Sequence, residues 1–323
     1  MNNYQKAINS AHSANPNTDF LVVSHEINRT LHERITDIFS TLGENRKENC
    51  TIFLTTRGGD PHAGFRIARA LQHYYKNGTI RIVVPSFCKS AGTLIAIGAK
   101  ELAIGDQGEL GPLDVQVSKH SEILERGSGL DYTQALSVAL EHAQKSFADS
   151  LMQMRARFRF STKMAGELAT QLARGTVEPL YAQIDPNRIG EMQRAIQIAH
   201  EYGQRLNSYS KNLKEGSLKK LVAGYPSHSF VIDRKEAKEL FNHIPPLIPH
   251  EEELIKLLWF AMREELELVE LLRPSPTIEE RQQEENSADA SANPAEETPA
   301  AEVGLPTVQS LAALHTPTEE SYA

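Results

Sequence analysis

Short apolar runs alternate with segments of helical spacing over the first hundred residues of this 323-residue chain. The runs 20–24, 50–55 and 80–85 are rich in β-branched and aromatic residues, and each has the length of a buried strand. The segments between them place apolar residues three or four positions apart, as amphipathic helices do. Because parallel strands need helical crossovers, this alternation predicts β-α-β units around a parallel sheet, which is an α/β fold.

The pattern changes along the chain and divides it into four predicted parts. Residues 1–17 are polar and are predicted to form a loosely ordered leader. Residues 18–130 hold the β-α-β units, whereas residues 131–273 are predicted to be mainly helical and to end in a charged amphipathic helix over 252–273. Residues 274–323 are rich in Pro, Ala and Glu, so they are predicted to form a disordered acidic tail.

Charge and cysteine content exclude several classes of protein. The chain has 34 Lys and Arg against 42 Asp and Glu, but the tail alone holds ten acidic side chains and one basic one. The remaining 273 residues carry about +1, which provides no strong basic field for nucleic acid. Two cysteines without a CxxC pair indicate neither a disulfide framework nor a zinc site, and we expect no metal and no cofactor.

The chain has no long apolar segment. Its first twenty residues lack the apolar core of a signal peptide, and the longest apolar run, 93–99, is far too short to span a bilayer. We therefore expect a cytoplasmic protein without a transmembrane segment, and we expect no nucleic acid among its partners.

Two small-residue motifs follow the second and third predicted strands. Gly58 and Gly59 turn the chain after the second strand, and glycines let backbone N–H groups approach a ligand closely. Ser90 follows the third strand at the start of an apolar helix, where most serines would only cap the helix. Ligands bind at the C-terminal edge of parallel strands, so we predict that Ser90 is a nucleophile. The amides of Gly59 and Ala91 would form its oxyanion hole.

These motifs resemble those of a known family. Similarity to the serine dehydrogenase proteinase family, which is related to the Clp protease and to signal peptide peptidase A, lies in the runs TIFLTTRGGDPHAGFRIARAL, VVPSFCKSAGTLIAIGAKELAIGDQGELGPLDVQ and GYPSHSFVIDRKEAKEL. The resemblance covers residues 20–245 in patches. It implies a Clp/crotonase-like fold of repeated β-α-β units with a helical C-terminal part, a serine endopeptidase activity, and Ser90 as the nucleophile. The family has a Pro before the double glycine, where this chain has Arg57.

The resemblance also bears on the base that activates Ser90. The Clp protease has a His in the strand after the nucleophile helix, whereas this chain has Leu-Gly-Pro-Leu-Asp at 110–114. This departure favours the Ser-Lys dyad of signal peptide peptidases. Lys145 is the candidate, in a KSFAD context that looks like the lysine-bearing helix of related Clp-class proteases. Apolar residues at i−7, i+3 and i+7 would desolvate its amine, and desolvation lowers the pKa of a lysine.

Other residues and other functions stay open. His120 and His228 are secondary candidates for the base, and Asp114 is a secondary candidate at the groove. A crotonase-like acyl-CoA enzyme would instead use carboxylates such as Glu109 and Asp114, and a catalytically weak scaffold would only bind peptides. For the peptidase we expect a peptide or protein substrate and a homo-oligomer, because the long amphipathic helix from residue 131 offers an interface.

Overall fold

The computed structural model describes residues 3–113, 116–118, 126–182 and 185–274. Apart from Pro274, the predicted acidic tail lies outside these residues. The chain divides into two compact units, so the boundary falls earlier than the predicted one at residue 130. The first unit comprises Met1–Gly111, Tyr202–Leu218 and Val231–Ala323, and the second comprises Pro112–Glu201 and Lys219–Phe230.

Helices occupy much of the described chain. Side chains cap several of them at the N-terminus; Asn28, Asp60 and Asp233, for example, each accept a hydrogen bond from the first turn. In chain order the helices are α1 (Asn3–Ala14), α2 (Arg29–Leu42), α3 (Pro61–Tyr74), α4 (Ala91–Ile97), α5 (Gly129–Ala156), α6 (Thr162–Tyr181), α7 (Pro186–Ser210), α8 (Ser217–Ala223), α9 (Arg234–Leu240) and α10 (Pro249–Met262).

The strands are short and mostly buried. In chain order they are β1 (Thr18–Ser24), β2 (Asn49–Thr55), β3 (Ile80–Val84), β4 (Phe87–Cys88), β5 (Glu101–Ile104), β6 (Glu109–Leu110), β7 (Gln116–Ser118), β8 (Arg126–Ser128) and β9 (Leu268–Leu272).

A five-stranded sheet forms the centre of the first unit, in the order β5-β3-β2-β1-β9. β1, β2, β3 and β5 run parallel, and β9 lies antiparallel beside β1. One row of apolar residues crosses the sheet through Leu271, Leu21, Ile52, Ile82 and Leu102. The α/β class with a parallel-rich sheet is therefore confirmed. A separate parallel pair, β4 and β6, follows β3 and β5.

The core of the first unit explains why the strands are apolar over most of their length. Every residue of β1 and β3 is buried, as expected for a parallel sheet covered on both faces. Phe20, Val22 and Phe53 pack in one cluster with apolar residues of α1 and α10, such as Leu258. Because successive side chains of a strand alternate between faces, their neighbours, such as Ile52, lie on the opposite side.

The first residues differ from the prediction of a loosely ordered leader. They form α1, whose Tyr4, Ala7, Ile8 and Ala11 are buried in the core. The spacing of these four residues is that of one helix face. Two small alanines among many polar residues make the apolar signal weak, but they let the helix lie close to its neighbours.

The predicted helix over 252–273 is wrong in its second half. Helix α10 ends at Met262, and residues Leu268–Leu272 form β9. A sequence rich in Glu and Leu favours a helix, but pairing with the open edge of β1 overrides this local preference.

The second unit is dominated by the paired helices α5 and α6. Large apolar side chains on these helices and the loop between them are exposed: Val138, Leu140, Phe147, Met152, Phe158, Met164, Leu172 and Tyr181. Among the helices that the structure describes, none is long and apolar enough to cross a membrane.

Candidate active site

Ser90 has an uncommon backbone conformation. Its φ is +50° and its ψ is −113°, although residues other than glycine rarely take a positive φ, at a cost of about 1–3 kcal/mol. Ser90 immediately precedes α4, yet its side chain makes no capping hydrogen bond to that helix. The residue is half-buried. The simple explanation of this serine as a helix cap therefore fails, and its hydroxyl is left for other chemistry.

Close contacts hold the segment that carries Ser90 against the end of β2. The amide of Lys89 donates to the carbonyl of Thr56, and the amide of Thr56 donates to the carbonyl of Phe87, both at 2.9 Å. A Cβ on Gly92 would lie 2.5 Å from Thr56 Cγ2. Only glycine therefore lets the first turn of α4 approach β2 so closely, and this approach fixes the position of the serine.

The loop after β2 needs both of its glycines. Gly58 has a φ of +110°, and a Cβ there would lie 2.8 Å from Ser90 Cβ. Gly59 has a φ of +135°, and its Cβ would lie 2.2 Å from the carbonyl oxygen of Ile27. Any other residue at either position would be strained and would overlap its neighbour. The two glycines thus bring the backbone directly beside the candidate nucleophile.

The backbone hydrogen bonds of this loop leave two amides unused. The Ile27 amide donates to the Gly58 carbonyl at 2.7 Å, and the Asp60 amide donates to the Ile27 carbonyl at the same distance. Within the described parts of the chain, the amides of Gly59 and Ala91 have no acceptor. Paired amide donors beside a serine hydroxyl are what an oxyanion hole requires.

Glu265, which the sequence analysis missed, binds the start of the same loop. Its Oε1 accepts from the Arg57 amide at 2.7 Å and from the Thr56 hydroxyl at 3.2 Å. It is 208 residues from Arg57 in sequence and lay inside the predicted helix 252–273, so no local signal pointed to it. The Arg57 side chain is exposed and places its guanidinium 4.8 Å from the centre of the Phe87 ring.

The lysine adjacent to Ser90 is tied to a carboxylate. Lys89 Nζ lies 2.6 Å from Glu109 Oε1 and 3.1 Å from the Leu110 carbonyl oxygen. These contacts direct the Lys89 amine to a carboxylate and a carbonyl. The same ion pair occupies Glu109, the carboxylate that an acyl-CoA enzyme would use.

Lys145 lies on α5 in the second unit and is exposed. The neighbours predicted to desolvate its amine are exposed too: Val138 retains 51% and Met152 68% of its accessible surface, and Ala148 is also exposed. The expected desolvation is therefore wrong for the single chain, because this face of α5 carries its apolar side chains into solvent.

The structure brings only part of the predicted site together. Ser90 and the two predicted oxyanion amides belong to the first unit and lie in adjoining loops, whereas Lys145 and His228 belong to the second unit. His228 is half-buried in the turn 227–230. Asp114 and His120 lie outside the described residues.

Comparison with protein families gives one match. Residues 38–183 match the ClpP-like SDH-type serine proteinases. This range contains Gly59, Ser90, Ala91 and Lys145, and it confirms the family resemblance and the ClpP-like fold inferred from the sequence. A comparison with curated protein sequences finds no match.

Solved structures of ClpP-like proteases also align with the chain. An asparagine-to-aspartate mutant of ClpP1 from Listeria monocytogenes is 22% identical over 28% of this chain and 53% of its own, with a TM-score of 0.26. ClpP1 from the same organism, without this mutation, is 16% identical over 49% of this chain and 86% of its own, with a TM-score of 0.27. A third structure is a lysine-to-alanine mutant of the membrane-bound stomatin-specific protease 1510-N in complex with a substrate peptide. It is 17% identical over 47% of this chain and 65% of its own, with a TM-score of 0.28. The chain thus spans about half the length of the first of these structures.

Proposed function

We propose that this chain, similar over residues 38–183 to the ClpP-like SDH-type serine proteinases, hydrolyses peptide bonds through an acyl-enzyme on Ser90. One observation carries the proposal: a strained serine whose hydroxyl does not cap its helix adjoins two amides that have no acceptor among the described residues. Strain of this kind persists only where surrounding contacts hold it, and it is common at active sites. The substrate is a peptide or an unfolded protein segment, because the oxyanion donors are backbone amides that suit a peptide carbonyl.

The proposed reaction has two steps. Ser90 Oγ attacks the peptide carbonyl carbon, and the carbonyl oxygen becomes an oxyanion that accepts from the amides of Gly59 and Ala91. The tetrahedral intermediate then collapses, the C–N bond breaks, and the amine leaves with a proton. Water attacks the resulting ester and releases the second product. Each donor of an oxyanion hole contributes about 10²–10³ in rate.

The proposed base is Lys145. A lysine can accept the serine proton only as a neutral amine, which needs an apolar surrounding or a neighbouring cation. The exposed apolar side chains beside Lys145 would provide that surrounding once another surface covers them. We therefore propose a homo-oligomer in which a second copy covers this face of α5. The support is the exposure of Val138 and Met152 on the same helix face.

Peptide hydrolysis tests the main proposal. Wild type should cleave an unstructured reporter protein, and Ser90→Ala should lose at least about 10³ in kcat/KM. Ser208→Ala, an exposed serine of the same unit, is the control and should cleave like wild type. Equal cleavage by Ser90→Ala would exclude the nucleophile. Turnover of acyl-CoA thioesters without peptide cleavage would favour the crotonase-like alternative.

Alanine variants test the base. Lys145→Ala should abolish acylation, and His120→Ala and His228→Ala should retain it. Lys163→Ala, an exposed lysine on α6, is the matched control. Full acylation of Lys145→Ala would show that another group acts as the base.

A further inference from the structure

The loop between α10 and β9 is anchored to the ends of the first two strands. Ser24 Oγ donates to the Glu264 carbonyl at 2.7 Å and accepts from the Leu266 amide at 3.0 Å. Thr55 Oγ1 donates to the Met262 carbonyl at 2.9 Å. Both hydroxyl-bearing residues are fully buried. The backbone on either side of Glu265 is therefore fixed relative to the C-terminal edge of the sheet.

Glu265 uses this position to hold two groups of the glycine loop. Its carboxylate accepts from the Arg57 amide and from the Thr56 hydroxyl, and Thr56 Oγ1 in turn accepts from the Gly58 amide at 3.1 Å. The Thr56 hydroxyl has a single proton, for which the Gly58 carbonyl at 3.4 Å is the alternative acceptor. The carboxylate of Glu265 is the stronger and nearer acceptor, so the Thr56 hydroxyl donates to it. An oxygen lone pair of Thr56 is then left to accept from the Gly58 amide.

The orientation of the Gly59 amide follows from these bonds. The Gly58 carbonyl and the Gly59 N–H belong to one planar trans peptide and point in opposite directions. The Ile27 amide holds this carbonyl at 2.7 Å, and the relay from Glu265 through Thr56 fixes the preceding peptide. With both peptides held, the Gly59 N–H is directed away from the Ile27 amide and has no acceptor in the part of the chain that the structure describes. The hole is thereby oriented before substrate binds.

We propose that Glu265 is a positioning residue that sets the direction of the Gly59 amide through Arg57 and Thr56. The proposal rests on the proposed function, since it assigns Glu265 to the oxyanion hole of that reaction. An oxyanion forms only after attack, so loosening this donor should lower kcat and leave KM nearly unchanged. A displacement of about 1 Å at such a donor costs about 10²-fold in rate.

Three variants test the relay kinetically. Glu265→Leu removes the acceptor, Thr56→Val removes the hydroxyl at nearly constant shape, and Glu265→Gln keeps an oxygen that can accept. Glu265→Leu and Thr56→Val should each lower kcat about 10- to 100-fold with KM within about 3-fold, whereas Glu265→Gln should stay much closer to wild type. Glu264→Leu, an exposed neighbouring carboxylate, is the control and should behave like wild type. Wild-type kcat in folded Glu265→Leu would overturn the proposal.

Hydrogen exchange supplies a readout that does not need activity. In Glu265→Leu the Arg57 amide, and in Thr56→Val the Gly58 amide, should exchange faster than in wild type, while β3 stays protected. Unchanged exchange in this loop would overturn the proposal whatever the kinetics. Failure of the proposed function would look different: wild type would cleave no peptide, and Ser90→Ala would change nothing. The exchange experiment would still decide whether Glu265 holds the loop.

Discussion

The two units of this chain bury their apolar side chains to very different extents. The first unit covers both faces of its sheet, fixes the glycine loop by backbone hydrogen bonds, and contains the fully buried Glu251. The second unit presents large apolar side chains of α5 and α6 to solvent. The geometry around Ser90 is thus complete within one unit, whereas the surroundings that Lys145 would need are not supplied by its own helix. Under the proposed mechanism, Ser90 would be preorganised within its own unit, whereas the proposed base Lys145 would depend on association.

The largest effect is expected at the buried ion pair of the first unit. Arg81 donates from Nε and Nη2 to the two carboxylate oxygens of Glu251, at 2.7 and 2.9 Å. The same carboxylate also accepts from the Ile248 amide. Glu251→Ala leaves a buried guanidinium without its main partner and should lower the free energy of unfolding by about 3–5 kcal/mol. Glu33→Ala, which breaks the exposed pair with Arg29, should cost less than about 1 kcal/mol. Urea denaturation measures the free energy of unfolding of both variants. Equal losses would contradict the expected difference between the buried and the exposed ion pair.

A pair of glycine substitutions compares the two units directly. Gly59→Ala forces a Cβ onto the Ile27 carbonyl at a positive φ and should lower the free energy of unfolding by at least about 2 kcal/mol. Gly166→Ala lies in α6, where nothing is within 4 Å of the added Cβ, and should stabilise the chain by up to about 1 kcal/mol. A tolerated Gly59→Ala would show that the loop is not held as described. Thermal unfolding of each variant gives the answer.

The exposed face of α5 should matter for association more than for folding. Replacing Val138 and Met152 by Gln removes apolar surface that is already in solvent, so the free energy of unfolding of the isolated chain should change by less than about 0.5 kcal/mol. Light scattering at micromolar concentration should show a smaller species than wild type. If a second copy covers Lys145, the rate of peptide cleavage should fall as the oligomer dissociates. A strictly monomeric wild type would contradict the proposed oligomer.

The smallest effect is expected from the acidic tail. Truncation after Arg273 removes ten acidic side chains and one basic one but little apolar surface. The melting temperature should stay within a degree or two of the full chain. A large drop in calorimetry would mean that the tail packs on the folded part.

Local patterns predicted the parts of the structure that depend on neighbouring residues. The strands of the parallel sheet and the helix after Ser90 carry signals within a few positions. The double glycine was recognisable because a sharp turn beside a close neighbour tolerates no other residue.

Long-range contacts explain what the sequence did not reveal. β9 is a strand because the edge of β1 is open to it, and Glu265 reaches the glycine loop only because β9 and α10 bring it there. The exposure of Met152 depends on whether another surface covers α5, and the sequence of one chain does not show this. Local preference is overridden wherever a distant segment supplies the partner.

The central claim is that Ser90 is a preorganised nucleophile. Intact-mass measurement after treatment with a fluorophosphonate, a serine-directed probe, tests it most directly. Wild type and Ser208→Ala should each gain the mass of one probe per chain, peptide mapping should place it on Ser90, and folded Ser90→Ala should gain none. A folded wild type that stays unlabelled, or a Ser90→Ala variant labelled as fully as wild type, would contradict the claim.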